Sequence, residues 1–177
     1  FMQFDVKNSK ALIIDVRGNG GGTRDLTYEL AKYIINPDSI HIVNAIKQRS
    51  TNPLTKEDLE SLHDRKLYAF EELDHVEKKY ATQFLKSFTP MYKLADKKFS
   101  EYYFGLFNGK KFAEKSAYYN KPIYILANEK SFSAASVFVA VFKDLPNIKI
   151  AGMQTDGSSG NSERFELPHS QLRIKIS

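Results

Sequence analysis

A cluster of glycines between an apolar run and a helical pattern constrains the fold of this chain more than any other feature. The segment LIIDVRGNGGGTRD, residues 12–25, contains four glycines within five positions. Glycine loses more backbone entropy on folding than any other residue, so such a cluster must serve backbone geometry or the close approach of a ligand. The segment therefore predicts a buried strand at 11–16, a loop of bare backbone and a helix at 23–35.

Two nucleotide-binding motifs fail at this loop. The dinucleotide motif G-x-G-x-x-G requires a third glycine where this chain has Thr23, and no acidic residue ends the next strand. The phosphate-binding motif G-x-x-x-x-G-K-[ST] fails because no lysine follows the glycines. Two interpretations stay open: a tight strand-to-helix turn, and a loop whose backbone N–H groups stabilise negative charge on a substrate oxygen.

A second segment has the same outline. In ILANEKSFSAASVF, residues 125–138, a strand pattern leads through a short turn into a helix pattern that opens on Ser131, Ser133 and Ser136. Taken alone, these serines are typical helix N-caps. One of them could instead be a nucleophile at the helix N-terminus, where the helix dipole and the next backbone N–H stabilise negative charge. We predict that the two loops face each other across one site.

The rest of the chain alternates between strand and helix patterns. Further strands are predicted at 40–46, at 121–127, at 148–151 and on both sides of 168–170, with a helix at 133–144. Residues 55–107 are rich in Glu, Lys and Leu, and predict two amphipathic helices that form an insertion outside the sheet, followed by a turn at FNGKKF. The repeated order of strand, loop, helix and strand predicts an α/β fold of ββα units in one domain over 1–177.

Composition and charge exclude several classes of protein. The chain has no cysteine, which excludes disulfides, thiolate metal sites and a cysteine nucleophile. The net charge is only +5, and basic and acidic residues are interleaved, so no nucleic-acid partner is expected. The histidines, His41, His63, His75 and His169, have no spacing typical of metal ligands, so neither a metal nor a cofactor is predicted.

The two segments, together with IAGMQTDGSSG and FELPHSQLRI further on, resemble the peptidase domain of the tail-specific, or carboxy-terminal-processing, serine peptidases. The signature D-x-R-x-N-x-G-G at 15–22, paired with the serine turn, carries this resemblance. It implies a crotonase/Clp-protease-like spiral of ββα units, with residues 55–107 as a helical insertion. It also implies a peptide or unfolded-protein substrate, no cofactor, and a periplasmic or secreted location.

The resemblance implies a role for each matching position. The nucleophile is expected to be Ser133. The donors of the oxyanion hole are expected among the backbone N–H groups of Gly21, Gly22 and Ala134. The polar positions of the signature are Asp15, Arg17 and Asn19. These residues are expected to shape the loop without taking part in the chemistry.

One departure from the family pattern concerns the general base. The tail-specific branch places a lysine where this chain has Ser158, and no lysine lies between Lys149 and Lys175. A lysine base works through a lowered pKa beside the serine hydroxyl, which a serine cannot reproduce. The tricorn-like branch uses an upstream histidine instead, but residues 1–10 contain none. The base is therefore expected outside these residues or is absent.

Two functions other than proteolysis stay open, the first because of that departure and the second by analogy of fold alone. The first is a catalytically inactive domain that binds peptides or lipids on the same scaffold. The second is a crotonase-type enzyme acting on acyl thioesters, because that fold also uses paired backbone N–H groups as an oxyanion hole and needs no serine nucleophile.

Overall fold

The protein has a mixed α/β fold, which confirms the predicted fold class. The structure, a computed structural model, describes residues 8–90, 92, 94, 96–157, 163–170 and 172–176. Its strands and helices are β1 (Leu12–Asp15), α1 (Asp25–Ile34), β2 (Ile40–Ile46), α2 (Lys56–Asp64), β3 (Leu67–Ala69), α3 (His75–Ser87), β4 (Tyr103–Asn108), α4 (Gly109–Phe112), β5 (Ile123–Ala127), α5 (Ala134–Phe142), β6 (Ile148–Gly152), β7 (Glu163–Glu166) and β8 (Arg173–Ile176). The crotonase-like spiral stays a prediction.

A parallel sheet in the order β1-β5-β6 organises the part of the fold that carries both predicted loops. Leu12 pairs with Ile123, which in turn pairs with Ile148, so the three strands run in one direction. Apolar side chains of this sheet pack with α1 and α5 in the main core, where Ile34 and Phe142 are almost fully buried. Because parallel strands end at the same edge of a sheet, the loops after β1, β5 and β6 lie together.

A second sheet corrects the prediction for residues 55–107. Two helices are present there, but the segment also contributes β3 and β4, which form an antiparallel sheet with β2 in the order β2-β4-β3. The predicted turn at FNGKKF is wrong as well, since it contains the end of β4 and the short α4. β4 is the central strand and is buried from Phe104 to Asn108, so it lacks the alternation that marks a half-exposed strand. Whether 55–107 is an insertion stays a prediction.

The final two predicted strands are present as the antiparallel hairpin of β7 and β8. Among the described residues, no helix combines the length and the apolar character that crossing a membrane would require.

A half-buried histidine connects the two sheets through α5. The Nε2 atom of His41, on β2, lies 2.7 Å from the carbonyl oxygen of Val141, near the end of α5. The ring N–H donates to this oxygen. Burial lowers the pKa of His41 below its ordinary value of 6.5, and it outweighs the hydrogen bond to Val141 and the charge of Asp144, which favour the protonated ring. His41 is therefore neutral in the folded protein at neutral pH.

This lowered pKa predicts a pH dependence of stability. Between the folded and unfolded pKa values the unfolded chain binds the proton and the folded chain does not, so stability increases with pH there. We expect the free energy of unfolding to fall as the pH drops below the ordinary value of 6.5. In the variant His41→Gln, this pH-dependent part of the free energy of unfolding should disappear. Urea unfolding of both proteins at about pH 7.5 and about pH 5 measures it, and a wild-type-to-variant difference equal at both pH values would contradict it.

Candidate active site

Hydrogen bonds connect the glycine loop to the serine turn, as the sequence predicted that the two would meet. The buried hydroxyl of Ser131 donates to the carbonyl oxygen of Val16, at 2.7 Å. The backbone N–H of Phe132 donates to the carbonyl oxygen of Asn19, at 2.9 Å. The backbone N–H of Gly18 donates to Oδ1 of Asn128, also at 2.9 Å. These bonds join segments more than a hundred residues apart into one unit.

Asn128 is a residue that the sequence analysis did not single out. Its Oδ1 accepts from the N–H groups of both Gly18 and Lys130, so it organises both loops. An asparagine directly after a strand is a common turn residue, because its side chain bonds the backbone two residues on. That signal was available in the sequence, but it does not indicate the contact with Gly18.

Gly21 and Ser133 are in direct contact. A Cβ atom added to Gly21 would lie 2.7 Å from Cβ of Ser133, 2.9 Å from the carbonyl oxygen of Phe132 and 3.0 Å from the nitrogen of Ala134. Gly21 also has a φ of +92°, which side-chain-bearing residues rarely adopt. Glycine is thus required here for both space and backbone conformation, which answers why the loop is rich in glycine at this point.

Ser133 has an unusual backbone conformation directly before α5. Its φ is +52° and its ψ is −117°, values that cost a non-glycine residue about 1–3 kcal/mol. Its hydroxyl makes no capping hydrogen bond to the helix, so the N-cap interpretation does not apply to it. The neighbouring serines are engaged: Ser131 bonds Val16, and Ser136 donates to the carbonyl oxygen of Ser131 at 2.9 Å. Ser133 is therefore the serine of this turn with an uncommitted hydroxyl among the described residues.

Of the backbone N–H groups around Ser133, some are free to donate a hydrogen bond to a ligand and one is already bonded within the protein. The N–H of Gly21 donates to Oδ1 of Asn19 at 2.8 Å, so it is already occupied. The N–H groups of Gly22 and Ala134 make no hydrogen bond within the described residues. Gly22 has a φ of +137° and no atom within 4 Å of an added Cβ, so its backbone is open to solvent. Gly22 and Ala134 thus remain able to bind an oxygen.

The loop after β6 completes the surroundings of the serine turn. The N–H of Met153 donates to the carbonyl oxygen of Ala127 at 3.0 Å. The N–H of Asp156 donates to the carbonyl oxygen of Ser131 at 3.1 Å. The N–H of Gly157 donates to the hydroxyl of Ser136 at 3.3 Å. Ser158, at the position of the family lysine, lies outside the described residues.

The polar signature residues make local contacts. Arg17 donates to both carboxylate oxygens of Asp15, at 3.0 Å and 2.7 Å, and its backbone N–H also donates to that carboxylate. These hydrogen bonds from Arg17 lower the pKa of Asp15 to about 2. Asn19 holds Gly21 through its side chain and Phe132 through its backbone. These contacts shape the loop, in agreement with the role expected for the three residues.

Within the described residues, no histidine forms a hydrogen bond with Ser133. His41 is bound to the Val141 carbonyl, two helical turns or about 12 Å along α5 from Ser133. His63 pairs with Glu72 at 2.7 Å. His75 and His169 are exposed at the start of α3 and in the turn of the last hairpin. In the described part of the chain, no histidine is therefore hydrogen-bonded to the serine as a base.

The structure thus combines an α/β fold with a serine that precedes a helix N-terminus and keeps an uncommitted hydroxyl, and with open N–H groups at Gly22 and Ala134. Serine hydrolases in general use groups of these kinds. The family model described as Peptidase family S41 matches residues 1–177. The chain belongs to this family, which confirms the resemblance to the tail-specific serine peptidases. Among curated proteins, none matches the chain.

Two solved structures share the fold. A protein from Parabacteroides merdae is 21% identical to this chain, with a TM-score of 0.59. The match covers 97% of this chain and 39% of that protein. Mature CPAF in complex with lactacystin is 22% identical to this chain, with a TM-score of 0.56. The match covers 98% of this chain and 36% of that protein. The chain thus spans about two fifths of the length of these relatives, and at these identities the likeness extends to the fold alone.

The contact between Gly21 and Ser133 predicts the effect of a single methyl group. Gly21→Ala should lower the free energy of unfolding by about 2 kcal/mol or more, because backbone strain and steric overlap both oppose the side chain. Gly20→Ala is the matched control, since nothing lies within 4 Å of its added Cβ and its φ is not positive. It should change stability by less than about 1 kcal/mol. Urea unfolding measures both, and equal losses would contradict the contact.

Proposed function

We propose that this chain is the peptidase core of a tail-specific serine endopeptidase that cleaves peptide bonds through an acyl-enzyme on Ser133. The observation that carries the proposal is the uncommitted hydroxyl of Ser133, held in a strained conformation against Gly21. Membership of Peptidase family S41 supports the same activity. The substrate would be a peptide or an unfolded protein segment, and the periplasmic or secreted location stays a prediction from the resemblance.

The proposed reaction has two steps. The hydroxyl oxygen of Ser133 attacks the carbonyl carbon of the scissile bond, its proton passes to a base, and the amine leaves with a proton. Water then attacks the ester and releases the second product. In both steps a negative charge forms on the carbonyl oxygen, and the N–H groups of Gly22 and Ala134 would stabilise it together with the N-terminus of α5.

The choice of donors refines the expectation from the sequence. Gly21, Gly22 and Ala134 were all candidates, but the N–H of Gly21 is bonded to Asn19. We therefore assign Gly22 and Ala134 as donors, and we assign Gly21 the role of allowing the close approach to Ser133. Losing one oxyanion donor costs about 3–4 kcal/mol of transition-state stabilisation in well-studied serine hydrolases.

One observation favours a second candidate, a domain that binds peptides without cleaving them. Ser158 stands where the tail-specific branch has its lysine, and there is no lysine between Lys149 and Lys175. A serine hydroxyl without a base near it is a weak nucleophile at neutral pH. This candidate predicts peptide binding by the complete protein with no turnover and no covalent labelling.

An activity-based probe distinguishes the two candidates. The complete protein should react with a fluorophosphonate, which modifies activated serines, and Ser133→Ala should remove the labelling because the attacking oxygen is gone. Intact-mass and peptide-mapping mass spectrometry locate the adduct. Ser61→Ala, on the exposed face of α2, is the matched control and should be labelled like the wild type.

Three results of this experiment have different meanings. Labelling at Ser133 together with peptide cleavage supports the peptidase. Labelling that persists in Ser133→Ala would refute Ser133 as the nucleophile. A folded wild-type protein that binds peptides but is not labelled would establish the binding domain instead.

A further inference from the structure

A cavity of about 250 Å³ lies beside the first two turns of α5. Val137 and Val141 of α5 line it, and they continue the face of the helix that begins at Ser133, because residues four apart lie on one face. Val137 is four residues, or about 6 Å, from Ser133 along the helix. Arg24 also lines the cavity, and it lies two residues after Gly22, the last glycine of the loop. The cavity is therefore lined by residues that closely follow both loops of the candidate active site in the chain.

The cavity combines an apolar surface with a cationic end. Its apolar lining is supplied by Val43, Ile46, Leu67 and Phe107 in addition to the α5 valines. Its polar lining is supplied by Arg24, Tyr28, Asn44 and Arg65. The volume is below the range of about 300–1,000 Å³ typical of pockets for whole small-molecule ligands, and it suits one amino-acid side chain.

Two arginines act on the hydroxyl of Tyr28. Arg24 forms a hydrogen bond with this hydroxyl, and Arg65 lies close enough to act on it electrostatically. Burial raises the pKa of Tyr28, and the two guanidinium groups only partly oppose that effect, so the phenol keeps its proton and can donate it in a hydrogen bond. The ammonium group of Lys66 lies 5.7 Å from the centre of the Tyr28 ring and adds a third positive charge.

The carboxylates around Tyr28 and Arg65 determine the charge at this end of the cavity. Asp25 is the carboxylate that acts on Tyr28, but it lies outside the lining and accepts a hydrogen bond from the Thr23 hydroxyl. Within the described residues, no carboxylate forms an ion pair with Arg65, which is only partly exposed. A half-buried guanidinium of this kind favours a carboxylate, which it can bind through two parallel hydrogen bonds.

We propose that this cavity is a specificity pocket for an acidic side chain, Glu or Asp, adjacent to the scissile bond of the substrate. The inference rests on the proposed function of Ser133. The methylene groups of the side chain would pack against Val137 and Val141, and its carboxylate would accept hydrogen bonds from Arg65, Arg24 and Tyr28. A side chain fits this position better than a chain terminus, because the pocket lies about one helical turn from the nucleophile.

Matched peptides test the pocket. The complete protein is assayed on fluorogenic peptide libraries with amidated C-termini, in which one position is Glu, Gln, Asp or Asn and the rest are mixed. We expect cleavage next to Glu to have a kcat/KM at least about tenfold above that next to Gln, since only the carboxylate pairs with the arginines. Mass spectrometry locates the cleaved bond. Equal rates for Glu and Gln would overturn the proposal. The same libraries with free C-termini are assayed in parallel, and a preference that appears only in these would overturn it as well.

Substitution of Arg65 links the preference to the cavity. Arg65→Gln should bring the Glu-to-Gln ratio towards one, and Arg65→Lys should retain part of it because the charge remains. Arg164→Gln, on the exposed strand β7, is the matched control and should keep the wild-type ratio. A ratio that is unchanged in Arg65→Gln would overturn the assignment of this cavity.

A binding measurement keeps the pocket testable if Ser133 proves inactive. Full-length Ser133→Ala is titrated with the same amidated peptides, and Glu peptides should bind at least about tenfold more tightly than Gln peptides. Absent labelling of Ser133 with selective binding of Glu peptides would refute the peptidase and support the pocket. Labelling and cleavage without discrimination between Glu and Gln would refute the pocket alone.

Discussion

The parallel pairing of β1 with β5 is the constraint on which the candidate active site depends. It places the ends of two strands side by side, so that the loops that follow them meet although they are far apart in the chain. The pairing continues beyond the strands, where the N–H of Val16 donates to the carbonyl oxygen of Leu126 at 2.9 Å. The hydroxyl of Ser131 then bonds the carbonyl oxygen of Val16 in the interior. A serine of the turn thus supports the loops, which leaves Ser133 available for chemistry.

Local patterns in the sequence were sufficient for the elements around the site but not for the second sheet. The strands β1, β2, β5 and β6 and the helices α1 and α5 lie close to their predicted bounds, because each has a clear apolar run or stripe. In all of these elements except β2, a Gly, Pro or Asn lies at the end or shortly after it. β3 and β4 were assigned to helices. β4 is buried on both faces and is defined by its pairing with β2 and β3, and a pairing between distant segments leaves little trace in local periodicity.

The site shows the same division between local and tertiary information. The meeting of the glycine loop and the serine turn was predicted from the sequence. Which N–H groups are free to bind a substrate oxygen could not be predicted, because the hydrogen bond from Gly21 to Asn19 depends on the exact path of the loop. The cavity was not predicted either, since Arg24 and Arg65 lie on separate elements and only the packing of α1, α5 and the second sheet brings them to Tyr28.

The strain at Ser133 weighs against a purely structural role for this serine. A helix cap normally has an extended backbone and regains stability through its side-chain hydrogen bond, as Thr55 and Asp74 do at α2 and α3. Ser133 has neither the extended backbone nor the capping hydrogen bond. Its conformation therefore lowers stability, and no local hydrogen bond offsets the loss. The same conformation places the serine against Gly21 and leaves its hydroxyl uncommitted. A cost that persists because surrounding contacts impose it is typical of a group held for reaction, which is the role proposed for Ser133.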